Sequence, residues 1–230
     1  MLGPKKLHSQ VYNMIWDQSD KKVYRCGRRI GITTTFAIEA LHLALTKCQS
    51  KILIVEYGSE DQILAMANLI IDSTPKDTLT GFYHKNTIHF NNGSSIFLKN
   101  YLPNDNEWFK GNGKPIGFPV KDLSKVFINI QDLYPKSMYV EELHMSFPDI
   151  PIVVAGRPSL EDIPGTWYKE GSFFYRICNN RDLGWSQHWY PVTAEFSSDI
   201  KEEYSPALWK SEVEATFDLG EEEKRDKWRI

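Results

Sequence analysis

Residues 22–57, KVYRCGRRIGITTTFAIEALHLALTKCQSKILIVEY, decide the fold. KVYRC (22–26) reads as a strand and TTTFAIEALHLALTK (33–47) as a helix apolar nearly all round, hence buried. KILIVEY (51–57) is a β-rich run too apolar for an exposed sheet face. The unit is strand, turn, helix, strand. A strand that ends in a glycine turn and feeds a helix aims backbone N–H groups and the positive helix end at one point, which suits an anion. Gly31 lets the backbone approach phosphates, and Thr33 or Thr34 offers a hydroxyl to nucleotide-bound Mg²⁺. Two features depart from the ordinary GxxxxGK[ST] pattern: Gly27 lies one residue too close to Gly31, and the lysine position holds Ile32. On spacing alone, Gly31 serving only to turn the chain into its helix stays open.

Downstream, a helix is expected to open at SEDQ, with Ser59 as cap and Gln62 completing a capping box, and to run through ILAMANLIID. TIHFNNGSSIFL (87–98) reads as a hairpin turning at Asn91, Asn92 and Gly93. Residues 99–124 are rich in Gly, Pro, Asn and Asp and read as an irregular surface loop. KVFINI (125–130) and IPIVVAG (150–156) are further buried strands. SPALWKSEVEATF (205–217) predicts a helix capped by Ser205, with Pro206 at its first position and Trp209, Val213 and Phe217 on one stripe. Strands alternating with helices predict an α/β fold: a mostly parallel central sheet, helices on both faces and an added β-hairpin.

Composition bounds the function. The 230 residues, 41% hydrophobic and 13% aromatic, supply one substantial core. A formal charge of -3 argues against a global basic field for nucleic acid, while leaving room for a local patch. Cys26, Cys48 and Cys178 show no metal-ligand spacing and predict a reducing compartment rather than a disulfide framework. The start lacks an apolar signal core, and no run reaches the roughly 18 apolar residues of a membrane span. A protein without membrane contact, inside a cell, is the expectation.

Several stretches, in order, resemble the ATPase domain of the large terminase subunit, the DNA-packaging motor of tailed bacteriophages. RRIGITT is similar to that family's phosphate loop (arginine, glutamine, apolar, Gly-Lys-Thr-Thr) apart from Arg29 and Ile32. Gln10, in LHSQVYNMIW, stands where the family places its adenine-contacting glutamine. IHFNNGSSIFL resembles the family's hairpin, FKGN (109–112) its short Arg-Gly motif, and LWKSEVEATF its closing helix.

The resemblance implies a P-loop ATPase domain over 1–217, a charged tail or start of a linker over 218–230, and no nuclease domain. It implies ATP and Mg²⁺ as ligands, with Gln10 at adenine, Arg28, Arg29, Gly31, Ile32, Thr33 and Thr34 around the phosphates, and Thr33 and Asp132 at the metal. Some family members carry the loop's positive charge earlier, so the resemblance implies that Arg28 or Arg29 can stand in for the lysine that would neutralise the transferred phosphoryl group, the alternative being a solvated or carboxylate-paired surface pair. A lysine at position 32 is expected to point into a solvated loop and to be tolerated there. The implied partners are double-stranded DNA, a viral portal or capsid, the small terminase subunit and copies of the chain in a ring, within the host cytoplasm. Arg176 and Arg181 are the candidates for an arginine acting on a neighbour's site. The competing reading is a non-hydrolysing module kept for assembly or DNA binding, and a deliberately introduced Ile32 also stays open.

Two places compete for the catalytic acid. SMYVEEL offers Glu141 and Glu142, and by eye it is the more similar to the family's acidic strand. VFINIQD offers Gln131 and Asp132. Parallel neighbours need a crossover of about a dozen residues or more. Residues 143–149 are too few, whereas 133–149 hold a loop and a helix such as KSMYVEELHM. Asp132 is therefore placed at the end of the acidic strand, with Gln131 where an aspartate is expected. Glu141 and Glu142 become a solvated helix face, and Glu142 is the second choice for catalysis. After IPIVVAG the family's Thr-Pro pair is replaced by Arg157-Pro158, so Arg157 is a phosphate sensor or a surface ion-pair partner, with Ser159 able to supply the missing hydroxyl. The histidines show no paired metal spacing, and His42 reads as a core imidazole. GWSQHWY (184–190) reads as core or rim before it reads as a base-stacking surface.

Overall fold

A computed structural model of the chain describes residues 9–27, 30–56, 60–80, 86–100, 122–130, 144, 149–159, 162–165, 169–192, 209–211 and 213–217. The elements are α1 (Ser9–Trp16), β1 (Lys21–Cys26), α2 (Ile32–Thr46), β2 (Lys51–Glu56), α3 (Glu60–Ser73), β3 (Thr87–His89), β4 (Ser95–Asn100), β5 (Lys125–Asn129), β6 (Ile152–Gly156), α4 (Phe173–Asn179) and β7 (Ser186–Tyr190). The strands form one seven-stranded sheet in the order β3-β4-β2-β5-β6-β1-β7. Every pairing is parallel except β3 with β4.

Alternation along the strands divides the core into two layers. Tyr24, Cys26, Ile52, Ile54, Phe127, Val153 and Ala155 face α1, α2 and α3. Their sequence neighbours Val23, Leu53, Val55, Val126, Ile128, Ile152 and Val154 face α4 and Phe217. Helices therefore cover both faces, as the pattern of apolar runs predicts.

The added hairpin forms one edge of the sheet, with β3 outermost and antiparallel to β4. β4 pairs in parallel with β2, from Lys51 opposite Ser95 to Glu56 opposite Asn100. Its turn also closes α2: Asn92 Nδ2 donates to Ala44 O at 2.8 Å and Ser94 Oγ to Lys47 O at 2.9 Å, satisfying carbonyls that a helix end leaves open. Gly93 provides the left-handed backbone, φ 81°, that this turn requires.

Three expectations are corrected. His42 is exposed, because α2 turns one side to solvent and His42, Leu45 and Thr46 lie on it. Residues 99 and 100, read as loop, complete β4. The closing helix does not reach 217: after the helical residues 209–211, Ala215 takes φ 50° and Thr216 N–H bonds back to Lys210 O at 3.0 Å, so the chain tucks Val213 and Phe217 inward by a turn. The capping box at Ser59 and Gln62, the motif at 109–112 and the cap at Ser205 lie outside what the structure describes.

Candidate nucleotide site

The topology singles out one crevice. From β1 the chain crosses one face through α2 to β2, three strands away, and from β6, the neighbour of β1, it crosses the other face through α4 to β7. Adjacent strands whose connections leave on opposite faces open a crevice at their carboxyl ends, where α/β sheets bind ligands. The turn at 27–31 leaves β1 here, residues 157–159 leave β6 beside it, and the connection carrying Asp132 leaves β5 one strand further on.

Gly31 is the hinge of the turn, with φ 86° and ψ 29°, and the Thr35 N–H closes the first helical turn onto its carbonyl at 2.9 Å. A side chain at this φ would cost about 1–2 kcal/mol. The N-cap position itself is a glycine and brings no capping side chain to the first N–H groups of α2, the groups a helix start can offer to an anion. The Thr35 hydroxyl lies 3.0 Å from Gly31 O and 3.6 Å from Met14 Sδ, buried in the packing. Thr33 and Thr34 are half-buried, and among the described residues no hydrogen bond engages their hydroxyls. Those two open hydroxyls suit a nucleotide-bound Mg²⁺, which needs only one or two protein ligands beside phosphates and water. Among the described residues no group of His, Cys, Asp or Glu makes a metal cage by itself.

Ile32 corrects a sequence expectation. Its side chain is 3% exposed and belongs to the core under α2. A lysine there would enter the core rather than a solvated loop, so only the backbone of residue 32 is offered to a phosphate. Arg28, Arg29, Gln131, Asp132, Glu141 and Glu142 lie outside the described residues, as does the side chain of Gln10. β5 and β6 are parallel neighbours with residues 130–151 between them, which is the long crossover that the choice of Asp132 relied on.

Beyond β6, Arg157 is 7% exposed and no free surface arginine. Ser159 donates both its N–H, at 2.9 Å, and its hydroxyl, at 2.7 Å, to Asp162 Oδ2, so its proton is committed inside this loop. Ser211 Oγ donates to Pro158 O, joining the loop to the closing segment. Arg176 lies over the Phe173 ring at 5.6 Å, and Arg181 is exposed beyond the far end of α4. Trp185 is 5% exposed and packs on Phe173 and His144, while Trp189, 54% exposed, carries the Arg25 guanidinium over its ring at 5.0 Å. These two are core and rim.

The sequence reading missed two charged groups. At the amino ends of the strands, Lys22 is fully buried and donates to Glu39 Oε1 at 2.7 Å, Met14 O at 3.2 Å and Asp17 O at 3.1 Å. Burial lowers the Lys22 ammonium below its usual range, and Glu39 opposes that shift. At the carboxyl ends, Glu56 closes β2 and is 4% exposed, and Asn129 Nδ2 donates to its Oε2 at 2.7 Å. The available signal was a polar residue ending each apolar run, KILIVE and KVFIN.

The sheet with its crevice has a P-loop-like α/β fold. The chain carries the fold of solved phage large terminase ATPase domains. It is similar to the Thermus phage P74-26 large terminase ATPase domain, with a TM-score of 0.64 and 14% identity over 92% of this chain and 94% of that one. A single-residue mutant of that same domain superposes with a TM-score of 0.63. The large terminase of a second, thermophilic bacteriophage matches with a TM-score of 0.65 and 10% identity, over 93% of this chain and 54% of that chain. This chain therefore spans about half of that second protein. No protein-family model and no curated protein matches the sequence.

Proposed function

We propose that this chain is the ATPase domain of a viral DNA-packaging motor, binding ATP–Mg²⁺ and coupling its hydrolysis to movement of double-stranded DNA into a capsid. The observation that carries the reading is the left-handed Gly31 turn, which opens α2 with no side chain of its own and stands at the switch point between β1 and β6. The N–H groups of residues 31–34 hold phosphate oxygens, and Arg28 or Arg29 supplies the charge that Ile32 does not. Thr33 and Asp132 hold Mg²⁺, which when bound neutralises charge developing on the phosphates. Gln10 meets the adenine. Arg157, on the neighbouring strand end, answers the γ-phosphate. Copies of the chain form a ring that docks on a portal or capsid in the host cytoplasm, with a small terminase subunit and DNA as further partners. Among the described residues no helix is long and apolar enough to cross a membrane.

The buried Ile32 is the observation favouring a second reading, a module that keeps the fold without turnover. ATP turnover measured with and without double-stranded DNA separates the two. The motor reading expects DNA-stimulated turnover that Asp132→Asn abolishes and Glu142→Gln leaves largely intact. Turnover lost in Glu142→Gln alone would move the acidic role to the 141–142 pair, and no turnover in the wild-type chain would favour the second reading.

A further inference from the structure

At the amino ends of the strands, away from the Gly31 turn, lies a cavity of about 370 Å³. The last residues of α1, the second half of α2, the start of β5 and the residue before β6 enclose it. Its lining is of two kinds. Ile15, Trp16, Leu43 and Pro151 make an apolar part, and Lys47, Ser124 and Lys125 a part rich in hydrogen-bond donors.

The donor part carries surplus positive charge. Glu39 also lines the cavity, but its carboxylate is held by Lys22 and Lys125 together, so these three groups keep one positive charge among them. Lys47 adds another, and among the described residues no carboxylate pairs with it. Asp20, exposed at the rim, offsets one of the two. Ser124 Oγ accepts the Lys51 N–H at 3.2 Å, and no described acceptor takes its own proton. In a chain of formal charge -3, such a cavity favours an anion that the rest of the surface repels. Ammonium and hydroxyl donors beside an apolar wall suit a carboxylate carried on an apolar body.

Trp16 decides between a small molecule and a chain. It is 75% exposed, and Tyr12, one turn earlier on the same side of α1, is 49% exposed. The apolar surface thus continues out of the cavity along α1, and a ligand covering both rings extends beyond the cavity. Exposed Trp and Tyr side chains of this kind are the anchors on which protein interfaces are built.

We propose that the cavity and the adjoining face of α1 are a docking site for an acidic segment of a partner protein. One carboxylate side chain of that segment meets Lys47, Lys125 and the Ser124 hydroxyl, and an apolar side chain beside it covers Trp16. The site lies at the opposite end of the strands from the Gly31 turn, so it stands or falls independently of the nucleotide reading.

The test uses the full chain and a fluorescein-labelled octapeptide, the sequence Glu-Leu-Glu-Phe written twice, titrated at low salt and read by fluorescence anisotropy. One control peptide replaces its glutamates by lysine, and another replaces its leucines and phenylalanines by serine. The acidic apolar peptide is expected to bind about tenfold or more tightly than either control. Lys47→Glu and Trp16→Ala are each expected to weaken it by about fivefold or more, with far-UV circular dichroism and thermal midpoint unchanged because both side chains are exposed. No binding of the acidic apolar peptide, equal binding of all three peptides, or wild-type affinity in both variants overturns the proposal. N-acetylphenylalanine binding as tightly as the peptide would make the cavity a small-molecule site and overturn it too. Self-association of the wild type that Trp16→Ala abolishes, without any preference among the peptides, would give this face to a second copy of the chain and also overturn it.

Discussion

The Thr35 hydroxyl lies 3.6 Å from the Met14 sulfur, and this contact sets the level of α1 against α2. Further along, Lys22 joins the carbonyls of Met14 and Asp17 to Glu39, so α1 and α2 run in the same direction. One turn earlier on each helix, residue 10 is level with Gly31. Gln10→Ala should therefore weaken ATP binding by about 5–10-fold, the value of one hydrogen bond, and leave the affinity for inorganic tripolyphosphate unchanged. Calorimetric titration with both ligands checks this. An equal loss for both would show that residue 10 acts on the fold and not on the base.

Much of this architecture is legible in the chain because buried parallel strands announce themselves as short apolar runs. KVYRC lies within β1, and KILIVEY, KVFINI and IPIVVAG each contain a strand. What failed depends on neighbours that sequence does not display. His42 looks internal among Leu41, Leu43 and Leu45, yet a helix on the surface of a sheet keeps one side for solvent whatever its residues. The hairpin itself is legible, but its place at the sheet edge is not, because nothing local tells β4 to pair with β2. The site is legible only as its Gly31 turn. Glu56 and Asn129 lie 73 residues apart and become a pair only through the sheet order.

The buried cluster of Lys22, Glu39 and Lys125 predicts an asymmetric response to substitution. Glu39 Oε1 receives both ammonium groups, at 2.7 and 2.5 Å. Glu39→Ala strands two cations, one of them fully buried, and should cost about 3–5 kcal/mol in urea unfolding. Lys125→Ala keeps the Lys22–Glu39 pair and should cost only about 1 kcal/mol. Equal costs would contradict the assignment of Glu39 as the shared anion.

His188, on β7, lies 2.6 Å from Asp17 just beyond α1, and Ser19 N–H donates to the same carboxylate at 2.8 Å. Burial acts to raise the Asp17 carboxyl, but hydrogen bonds from Ser19, Ser186 and His188 outweigh it and hold the group well below its ordinary 3.8. A carboxyl depressed in the folded state binds fewer protons there than in the unfolded chain. Its stabilisation is therefore fully present above pH 3.8 and is lost as pH falls through and below that value. Asp17→Asn should lower stability at pH 7, by about 1 kcal/mol after solvent screening, and flatten this acid limb. Thermal melts of both proteins from pH 7 to about pH 2 read the difference. An unchanged acid limb in Asp17→Asn would assign it to other carboxylates.

The central claim is that the turn after β1 holds the phosphates of a nucleotide although Ile32 occupies the lysine position and points into the core. Equilibrium binding of Mg·ATP to the wild-type chain, Arg28→Ala and Arg29→Ala tests it most directly. The account predicts measurable binding by the wild type and a loss of roughly ten-fold or more in one arginine variant, as expected for a charge-assisted contact of about 1.5–3 kcal/mol. A wild type that binds no nucleotide, or two arginine variants that both bind as it does, would contradict it.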